Sequence, residues 1–307
     1  MSCPIRTGVI GVGKMGRHHA RIYATLPQSM LVGIYDVDKS AALACARLYG
    51  CQAFDSLEAF FNAGIEAVSI AVPSSLHAEL TLAALEHGMH VLVEKPIATS
   101  LSEAQAMIQV AADCGRKLMV GHIERFNPAV QTIKSLVSSD EILSINIIRV
   151  GPCPPRIRDT SVIVDLAIHD IDLVRYITNQ DISDVFCVVP DFSLRREHVA
   201  SILLRTEKGI SAQLTVNWIT PYKAREIHIV TSTKLIQSNL ITRQIMVMGK
   251  DQLCLGGNNQ AEPLRLQIEA FLIAIKQGQE PPVTGEEGLR ALEVALQAEA
   301  FKEVISL

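Results

Sequence analysis

Three residues, Lys95, Asp165 and His169, have the types and spacing that proton-transfer chemistry needs. Asp165 and His169 are four residues apart in an apparent helix, so their side chains share one helix face. The imidazole can remove a hydroxyl proton, and the carboxylate can orient the ring or bind a neighbouring hydroxyl. Lys95 follows a predicted strand, where ligands of parallel sheets bind. The structural alternatives are a hydrogen-bonding histidine, a helix-capping aspartate and a solvated lysine.

A glycine-rich turn is the clearest binding motif, with Gly11, Gly13 and Gly16 in the pattern G-x-G-x-x-G between a predicted strand and helix. The glycines permit a tight turn, the approach of a pyrophosphate, and close helix packing, respectively. Asp36 follows Gly16 by 20 residues and can bind ribose hydroxyls. Its charge would repel a 2′-phosphate, which favours NAD over NADP, although Lys39 weakens that argument. The alternative is a strand–helix turn that binds no ligand.

The cofactor-binding residues are expected at the turns that follow the strands of this sheet. We expect them to be Gly11, Gly13, Lys14, Met15, Gly16, Asp36, Val72, Pro73, His77, Glu94 and Lys95.

The first 120 residues alternate apolar strand-like runs with helical segments, a pattern that predicts strand–helix–strand units and a parallel, doubly wound sheet. The predicted strands are 7–10, 30–35, 67–72, 90–93 and 117–120, and the predicted helices are 14–26, 40–49, 76–86 and 102–114.

After residue 121 the strands follow one another without helices, which favours an open, mostly antiparallel sheet in an α+β domain. We therefore predict two domains, 1–121 and 122–307. The predicted strands are 142–150, 184–189, 199–204, 210–217 and 226–231, and two helices follow near 264–277 and 288–304.

Composition is that of an ordinary globular protein, with 49% hydrophobic and 20% charged residues. The net charge of −4 gives no electrostatic footprint for nucleic acid or a membrane surface. No signal peptide or membrane span is expected, so the predicted location is the cytoplasm. The seven cysteines lack C-x-x-C spacing, which argues against a disulfide framework or a zinc site, and no metal is predicted.

Taken together, the glycine turn with His18-His19-Ala20, Glu94-Lys95-Pro96 and Asp165-x-x-x-His169 resemble the glucose–fructose oxidoreductase/inositol dehydrogenase/rhizopine catabolism (Gfo/Idh/MocA) family over essentially the whole chain. This resemblance implies NAD-dependent oxidation of a sugar hydroxyl, a second domain that binds substrate, and a homodimer or homotetramer. It also implies catalytic roles: Lys95 polarises the reacting hydroxyl, His169 acts as general base, and Asp165 orients the base.

Two segments, 120–128 and 151–159, are further similar to family members that oxidise the 3-hydroxyl of UDP-N-acetylglucosamine. The resulting ketone would be converted by a partner aminotransferase, in a route to 3-amino sugars of lipid A or surface glycans. Arginine forks suit the diphosphate of such a substrate. The expected substrate-binding residues are Arg125, Asn127, Arg156, Arg158 and His169.

Other interpretations remain open at this stage. An inositol or monosaccharide dehydrogenase of the same family would need no diphosphate site, and a non-catalytic NAD-binding regulator could use the same fold. Trp218, Tyr222, Lys223 and Arg225 form another basic-aromatic cluster, which could equally belong to an interface.

Overall fold

The computed structural model describes residues 3–153, 160–190, 198–249, 253–255, 260–300 and 302–305. Its helices are α1 (Lys14–Thr25), α2 (Lys39–Tyr49), α3 (Leu57–Phe61), α4 (His77–Glu86), α5 (Leu101–Asp113), α6 (Pro128–Val137), α7 (Ile168–Thr178), α8 (Pro263–Gln277) and α9 (Gly285–Ala300). Its strands are β1 (Ile5–Ile10), β2 (Ser29–Tyr35), β3 (Gln52–Ala53), β4 (Ala67–Ile70), β5 (His90–Glu94), β6 (Leu118–Gly121), β7 (Ile142–Pro152), β8 (Ile182–Pro190), β9 (Val199–Thr206), β10 (Ser211–Asn217), β11 (Ile219–Thr231), β12 (Leu235–Asn239), β13 (Gln244–Met248), β14 (Leu253–Leu255) and β15 (Lys302–Ile305).

The chain forms two compact units, and each contains more than one segment of sequence. The first unit consists of residues up to His122 together with Leu264–Leu289. The second consists of Ile123–Pro263 and the residues from Arg290 onward. Residues 264–289 lie within the predicted second domain, but their contacts group them with the first unit, where Gly285 and Gly288 pack closely on β6 and α5.

The first unit is built on a six-stranded parallel sheet in the order β3-β2-β1-β4-β5-β6. The central strand β4 is buried along its whole length, as expected for a sheet covered on both faces, and so is β6 at the edge of the sheet. Local signals define the helices: Asp38 caps the start of α2, and Ser100 with Glu103 forms a capping box at α5. This parallel sheet confirms the predicted Rossmann class, although β3 and α3 were missed because they are short.

The second unit contains a nine-stranded sheet in the order β14-β13-β12-β11-β7-β10-β9-β8-β15. Its pairs are antiparallel except for β10 with β7 and β15 with β8. Buried and exposed side chains alternate along its strands. On β7, Ile145 and Ile147 are buried and Asn146 between them is exposed; on β10, Leu214 is buried and the preceding Gln213 is exposed. The predicted open, mostly antiparallel sheet is confirmed.

Several elements of the second unit differ from the sequence-based prediction. Helix α6 and strands β12 and β13 were not predicted, and α9 ends at Ala300 instead of continuing to Val304. The segment Lys302–Ile305 is a strand paired with β8. Pairing with β8 determines the secondary structure of this segment, because a segment this short shows neither helical nor strand periodicity in its sequence. Among the described residues, no helix has the length and apolar character needed to cross a bilayer.

Candidate active site

The turn between β1 and α1 has the geometry that its three glycines predict. Gly11 has a φ of +84°, and a Cβ at Gly16 would lie 1.8 Å from the Gly11 carbonyl oxygen. A Cβ at Gly13 would meet no atom within 4 Å. The chain itself thus requires glycine at positions 11 and 16, whereas the open space at Gly13 fits the approach of a phosphate group to the backbone.

The first turn of α1 is suited to an anion because its backbone N–H groups receive no side-chain cap. Gly13 is the N-cap residue, and no acidic side chain lies in the first turn. Lys14 is exposed and Met15 is half-buried in this turn. Unsatisfied N–H groups and the helix dipole favour a phosphate at this position.

Asp36, at the end of β2, is fixed against the glycine turn. One carboxylate oxygen accepts a hydrogen bond from the Val12 amide at 2.6 Å, and the other accepts from the Asp38 amide at 2.8 Å. A carboxylate has about four lone-pair sites, so acceptor capacity remains for a ribose hydroxyl pair. These acceptor sites therefore fit the ribose on the adenosine side of NAD.

The turns after β4 and β5 lie at the same edge of the sheet. A Cβ on Gly11 would be 2.7 Å from Val72, which shows how closely the turn after β4 approaches the glycine turn. Val72 is half-buried and Pro73 exposed. Glu94 ends β5, and the half-buried Lys95 follows it, joined to Pro96 by a cis peptide bond.

A buried polar chain ends at Glu94. The two ring nitrogens of His19 lie 2.9 Å from Ser69 Oγ and 2.9 Å from Glu94 Oε1, and Tyr23 hydrogen bonds the same serine at 2.9 Å. Burial alone would raise the pKa of Glu94, but the His19 hydrogen bond and the nearby positive charges lower it below its ordinary value. Glu94 is therefore ionised next to Lys95.

His19 is part of a sequence motif, but no role in the site was predicted for it. The spacing of α1 does indicate that His19 is buried, because it shares one helix face with Gly16, Ala20 and Tyr23, which are all buried. A histidine on such a stripe needs buried partners, but the sequence does not reveal that the partners come from β4 and β5.

His77, which was predicted to bind cofactor, is 1% exposed, and its ring lies between two backbone carbonyls. Nδ1 is 2.7 Å from the Pro96 oxygen, and Nε2 is 3.1 Å from the Val72 oxygen. Burial lowers its pKa more than these two contacts raise it. Its ring nitrogens therefore face the protein backbone and not a ligand.

In the second unit, Asp165 lies in a π-helical turn, Ile163–Ala167, that runs directly into α7. His169 is in the first turn of α7, and both side chains are half-buried. Ser161 anchors the start of this segment: its hydroxyl accepts from the Val164 amide and donates to Glu299. The apparent helix of the sequence is therefore a π-helical turn followed by an α-helix, and π-helical turns of this kind are frequent at functional sites.

A buried ion network supports the helix that carries His169. Arg149 donates to Asp170 at 2.8 Å and to Glu124 at 2.9 Å, and Glu124 also pairs with Arg225 at 3.2 Å. Burial and the Arg149 charge lower the pKa of Arg225, whereas the charges of Glu124, Asp170 and Asp165 raise it. Arg225 thus lies within the electrostatic reach of Asp165. Sequence reasoning missed Arg149, although its position on β7 alternates with the buried Ile145 and Ile147.

Arg125 and Asn127, two of the predicted substrate-binding residues, are both buried in the second unit. Arg125 is 5% exposed and forms a bidentate pair with Asp172 at 2.6–3.1 Å. Asn127 is 4% exposed, caps α6 and donates to the Leu240 carbonyl oxygen. Both side chains bind within the second unit. Arg156 and Arg158 lie outside the described residues.

The basic-aromatic cluster does not form one surface. Trp218 is 5% exposed and packs edge-on against His198, whereas Tyr222 is 68% exposed. Tyr222 and Lys223 lie in the irregular stretch of β11 between Ile219 and Ala224. Within the part of the chain that the structure describes, no three His, Cys, Asp or Glu side chains are grouped as metal ligands.

A glycine turn beside a carboxylate that follows β2 of a parallel sheet, in a chain whose second sheet is open, is typical of nicotinamide-dependent oxidoreductases of the Rossmann class. Residues 5–122 match the model of the oxidoreductase family with an NAD-binding Rossmann fold, and residues 130–237 match the GFO/IDH/MocA C-terminal domain. The chain belongs to the GFO/IDH/MocA oxidoreductase family. The predictions of this family, of an NAD cofactor and of a dehydrogenase are confirmed.

Individual relatives match over the full length. The chain is 31% identical to a UDP-N-acetylglucosamine 3-dehydrogenase of Acidithiobacillus ferrooxidans, over 97% of each chain. A solved structure of that enzyme aligns with a TM-score of 0.92, covering 98% of this chain and 99% of the other. An inositol 2-dehydrogenase of Rhizobium meliloti is 26% identical over 99% of both chains.

Proposed function

We propose that this protein oxidises a ring hydroxyl of a UDP-sugar to a ketone, with the 3-hydroxyl of UDP-N-acetylglucosamine as the substrate group. The observation that carries the proposal is the 31% identity, over 97% of both chains, to a relative named for that activity. The glycine turn, the Asp36 carboxylate and the ionised Glu94 support the cofactor half of the reaction.

In this proposal, each of three residues has its own role in the reaction. Lys95 donates a hydrogen bond to the reacting hydroxyl oxygen and stabilises the charge that develops on it. His169 accepts the hydroxyl proton as general base, and Asp165 orients the imidazole or binds a neighbouring hydroxyl. When bound, NAD supplies the acceptor for the hydride that leaves the same carbon. The carbon loses one hydride and its oxygen one proton, which balances the oxidation.

For the nucleotide part of the substrate, we propose Arg156 and Arg158 as the groups that bind the diphosphate, because guanidinium forks match phosphate oxygens. The ketone product would be a substrate for an aminotransferase, since a ring carbonyl is what transamination consumes. Replacing both arginines by alanine is expected to raise the KM for the UDP-sugar and leave the KM for NAD unchanged. Equal changes in both KM values would contradict this assignment.

A substrate panel tests the activity directly. NAD is mixed with the protein and, in turn, UDP-N-acetylglucosamine, myo-inositol and glucose, and the absorbance of NADH is followed. We expect NADH to form fastest with the UDP-sugar, and NMR of the product should place the ketone at C3. Faster turnover of myo-inositol would favour the alternative that the 26% identity to an inositol 2-dehydrogenase supports. No NADH with any substrate would favour a non-catalytic NAD-binding protein.

The role of Lys95 gives the first prediction. We expect Lys95→Ala to lower kcat by about 10²-fold or more, because the transition state loses a charged hydrogen bond, while the Kd for NAD changes little. Lys276→Ala, at an exposed position on α8, is the matched control and should keep wild-type turnover. Unchanged turnover in the Lys95 variant would contradict the proposed role.

We also propose that the protein is a homodimer or homotetramer assembled through the open face of the nine-stranded sheet. Phe186 on β8 and Leu203 on β9 are directly paired on this face and are 46% and 50% exposed. Met246 on β13 adds a further side chain that is 41% exposed. Apolar side chains that recur on one sheet face favour burial by a second copy of the chain.

A further inference from the structure

Lys95 is flanked by two residues that are each fixed by a buried histidine. On its N-terminal side, Glu94 Oε1 lies 2.9 Å from His19 Nε2. On its C-terminal side, the Pro96 carbonyl oxygen lies 2.7 Å from His77 Nδ1. His19 is 0% and His77 1% exposed, so neither contact competes with bulk water.

Each histidine also connects this turn to another part of the cofactor site. His19 belongs to α1, the helix that begins at the glycine turn, and its Nδ1 is held by Ser69 on β4. His77 begins α4, and its Nε2 lies 3.1 Å from the carbonyl oxygen of Val72, the residue that approaches Gly11. The turn that carries Lys95 is thus connected through His77 to the turn after β4, and through His19 to the helix that begins at the glycine turn.

We propose that His19 and His77 are positioning residues that hold the Lys95 side chain in register with the cofactor-binding turns. Neither is a catalytic residue, because both ring nitrogens of each face protein atoms. The inference rests on the catalytic role proposed above for Lys95. Positioning matters for turnover because displacement of a reacting group by about 1 Å costs about 10²-fold in rate.

The two ring nitrogens of each histidine contact different partners, so substitutions that keep only one of these contacts are expected to differ in their effect on kcat. A glutamine side-chain nitrogen reaches the position of Nε2, whereas an asparagine nitrogen reaches only that of Nδ1. His19→Gln therefore keeps the contact with Glu94, and His19→Asn keeps only the contact with Ser69. At His77 the pattern reverses, since asparagine keeps the contact with Pro96 and glutamine keeps the contact with Val72. A purely structural role would give no such crossed pattern.

The experiment measures kcat, the Kd for NAD and Tm for these four variants, with whichever panel substrate the wild type oxidises. We expect kcat to fall by about 10²-fold in His19→Asn and His77→Gln, and by less than about tenfold in His19→Gln and His77→Asn, with the Kd for NAD within about threefold of wild type. His18→Asn and His18→Gln, on the exposed side of α1, are matched controls and should behave as wild type.

A second readout needs no turnover. The Lys95 Cε signal is followed by NMR in protein labelled with 13C-lysine and assigned with Lys95→Arg. Its chemical shift at one fixed pH should change in His19→Asn and His77→Gln, because the neighbouring carboxylate and the turn are displaced, and stay near that of wild type in the other pair.

The two readouts separate the possible failures. An unmoved Lys95 signal with unchanged kcat in all four variants would overturn the positioning role. Equal losses of kcat in the two members of each pair, tracking Tm, would overturn it as well. A Lys95 signal that moves in the crossed pattern while Lys95→Ala retains turnover would support positioning and overturn the catalytic role proposed for Lys95.

Discussion

At the scale of single residues, several buried polar side chains support the elements of the candidate site. His19, His77 and Arg149 are each almost fully buried, and each has partners from elements distant in sequence. Burying such groups costs several kcal/mol unless hydrogen bonds or ion pairs replace water. Their partners are therefore strongly defined, which makes their positions informative about the turns and helices that they support.

His90, the first residue of β5, is a half-buried titratable group and makes stability depend on pH. Its Nδ1 accepts a hydrogen bond from the Lys117 amide at 2.9 Å, which requires an unprotonated nitrogen. Burial, assisted by the charges of Arg116 and Lys117, lowers its pKa to about 4. The unfolded chain, with a pKa of about 6.5, binds more protons than the native state between these values, so stability is lost as pH falls from 6.5 towards 4.

We predict that wild-type protein loses about 1–2 kcal/mol of unfolding free energy over this window through His90, after allowance for its partial exposure. His90→Asn offers a non-titrating oxygen to the same amide and should lack this part of the loss. Urea denaturation at several pH values between 7 and 4 measures the difference. His18→Asn is the control, and an identical pH slope in wild type and His90→Asn would refute the assignment.

At the scale of elements, the turns that follow β1, β4 and β5 define the candidate site of the first unit. Each follows a buried parallel strand, so its position is set by the sheet and not by its own sequence. In the glycine turn, the requirements of folding and of binding fall on different residues, and substitution separates them.

Gly13→Ala and Gly16→Ala form a matched pair. Gly13 has a φ of −61° and open space at Cβ, so alanine should leave the Tm without NAD within about 2 °C of wild type. The methyl group should nevertheless raise the Kd for NAD about tenfold or more. Gly16→Ala places Cβ 1.8 Å from a carbonyl oxygen and should lower that Tm by roughly 5 °C or more. Thermal shift with and without NAD distinguishes the two, and equal Tm losses would contradict this division.

At the scale of the whole molecule, each unit has its own sheet, and the two sheets differ in how their faces are covered. The parallel sheet is covered by helices on both faces, whereas the nine-stranded sheet buries one face and exposes apolar side chains on the other. An exposed face of this kind favours assembly, which is the basis of the proposed homo-oligomer.

We predict that Phe186→Asp with Leu203→Asp reduces the oligomeric mass, because two charges at one paired position of β8 and β9 oppose burial. Size-exclusion chromatography with light scattering measures this mass. Leu48→Asp, at a position 71% exposed on α2 of the first unit, is the control and should leave the mass unchanged. A monomeric wild type, or a double variant of unchanged mass, would argue against assembly through this face.

Local chemistry in the sequence determined the parallel-sheet domain, the glycine turn, the carboxylate that follows β2 and the family. Glycine conformation, strand alternation and helix capping act over a few residues, so they can be read without coordinates. Short elements such as β3 and α3, and the final strand β15, could not be identified because distant partners stabilise them.

Only the tertiary structure decided which polar side chains bind partners inside the protein. Sequence spacing made Arg125, Asn127 and His77 equally suitable as binding residues, but their partners Asp172, Leu240 and Pro96 lie up to 113 residues away. The fold likewise brought His19 to Glu94 across 75 residues of sequence. Hydrogen-bond partners depend on three-dimensional proximity, and a side chain whose donors and acceptors are used inside the protein is not available to substrate.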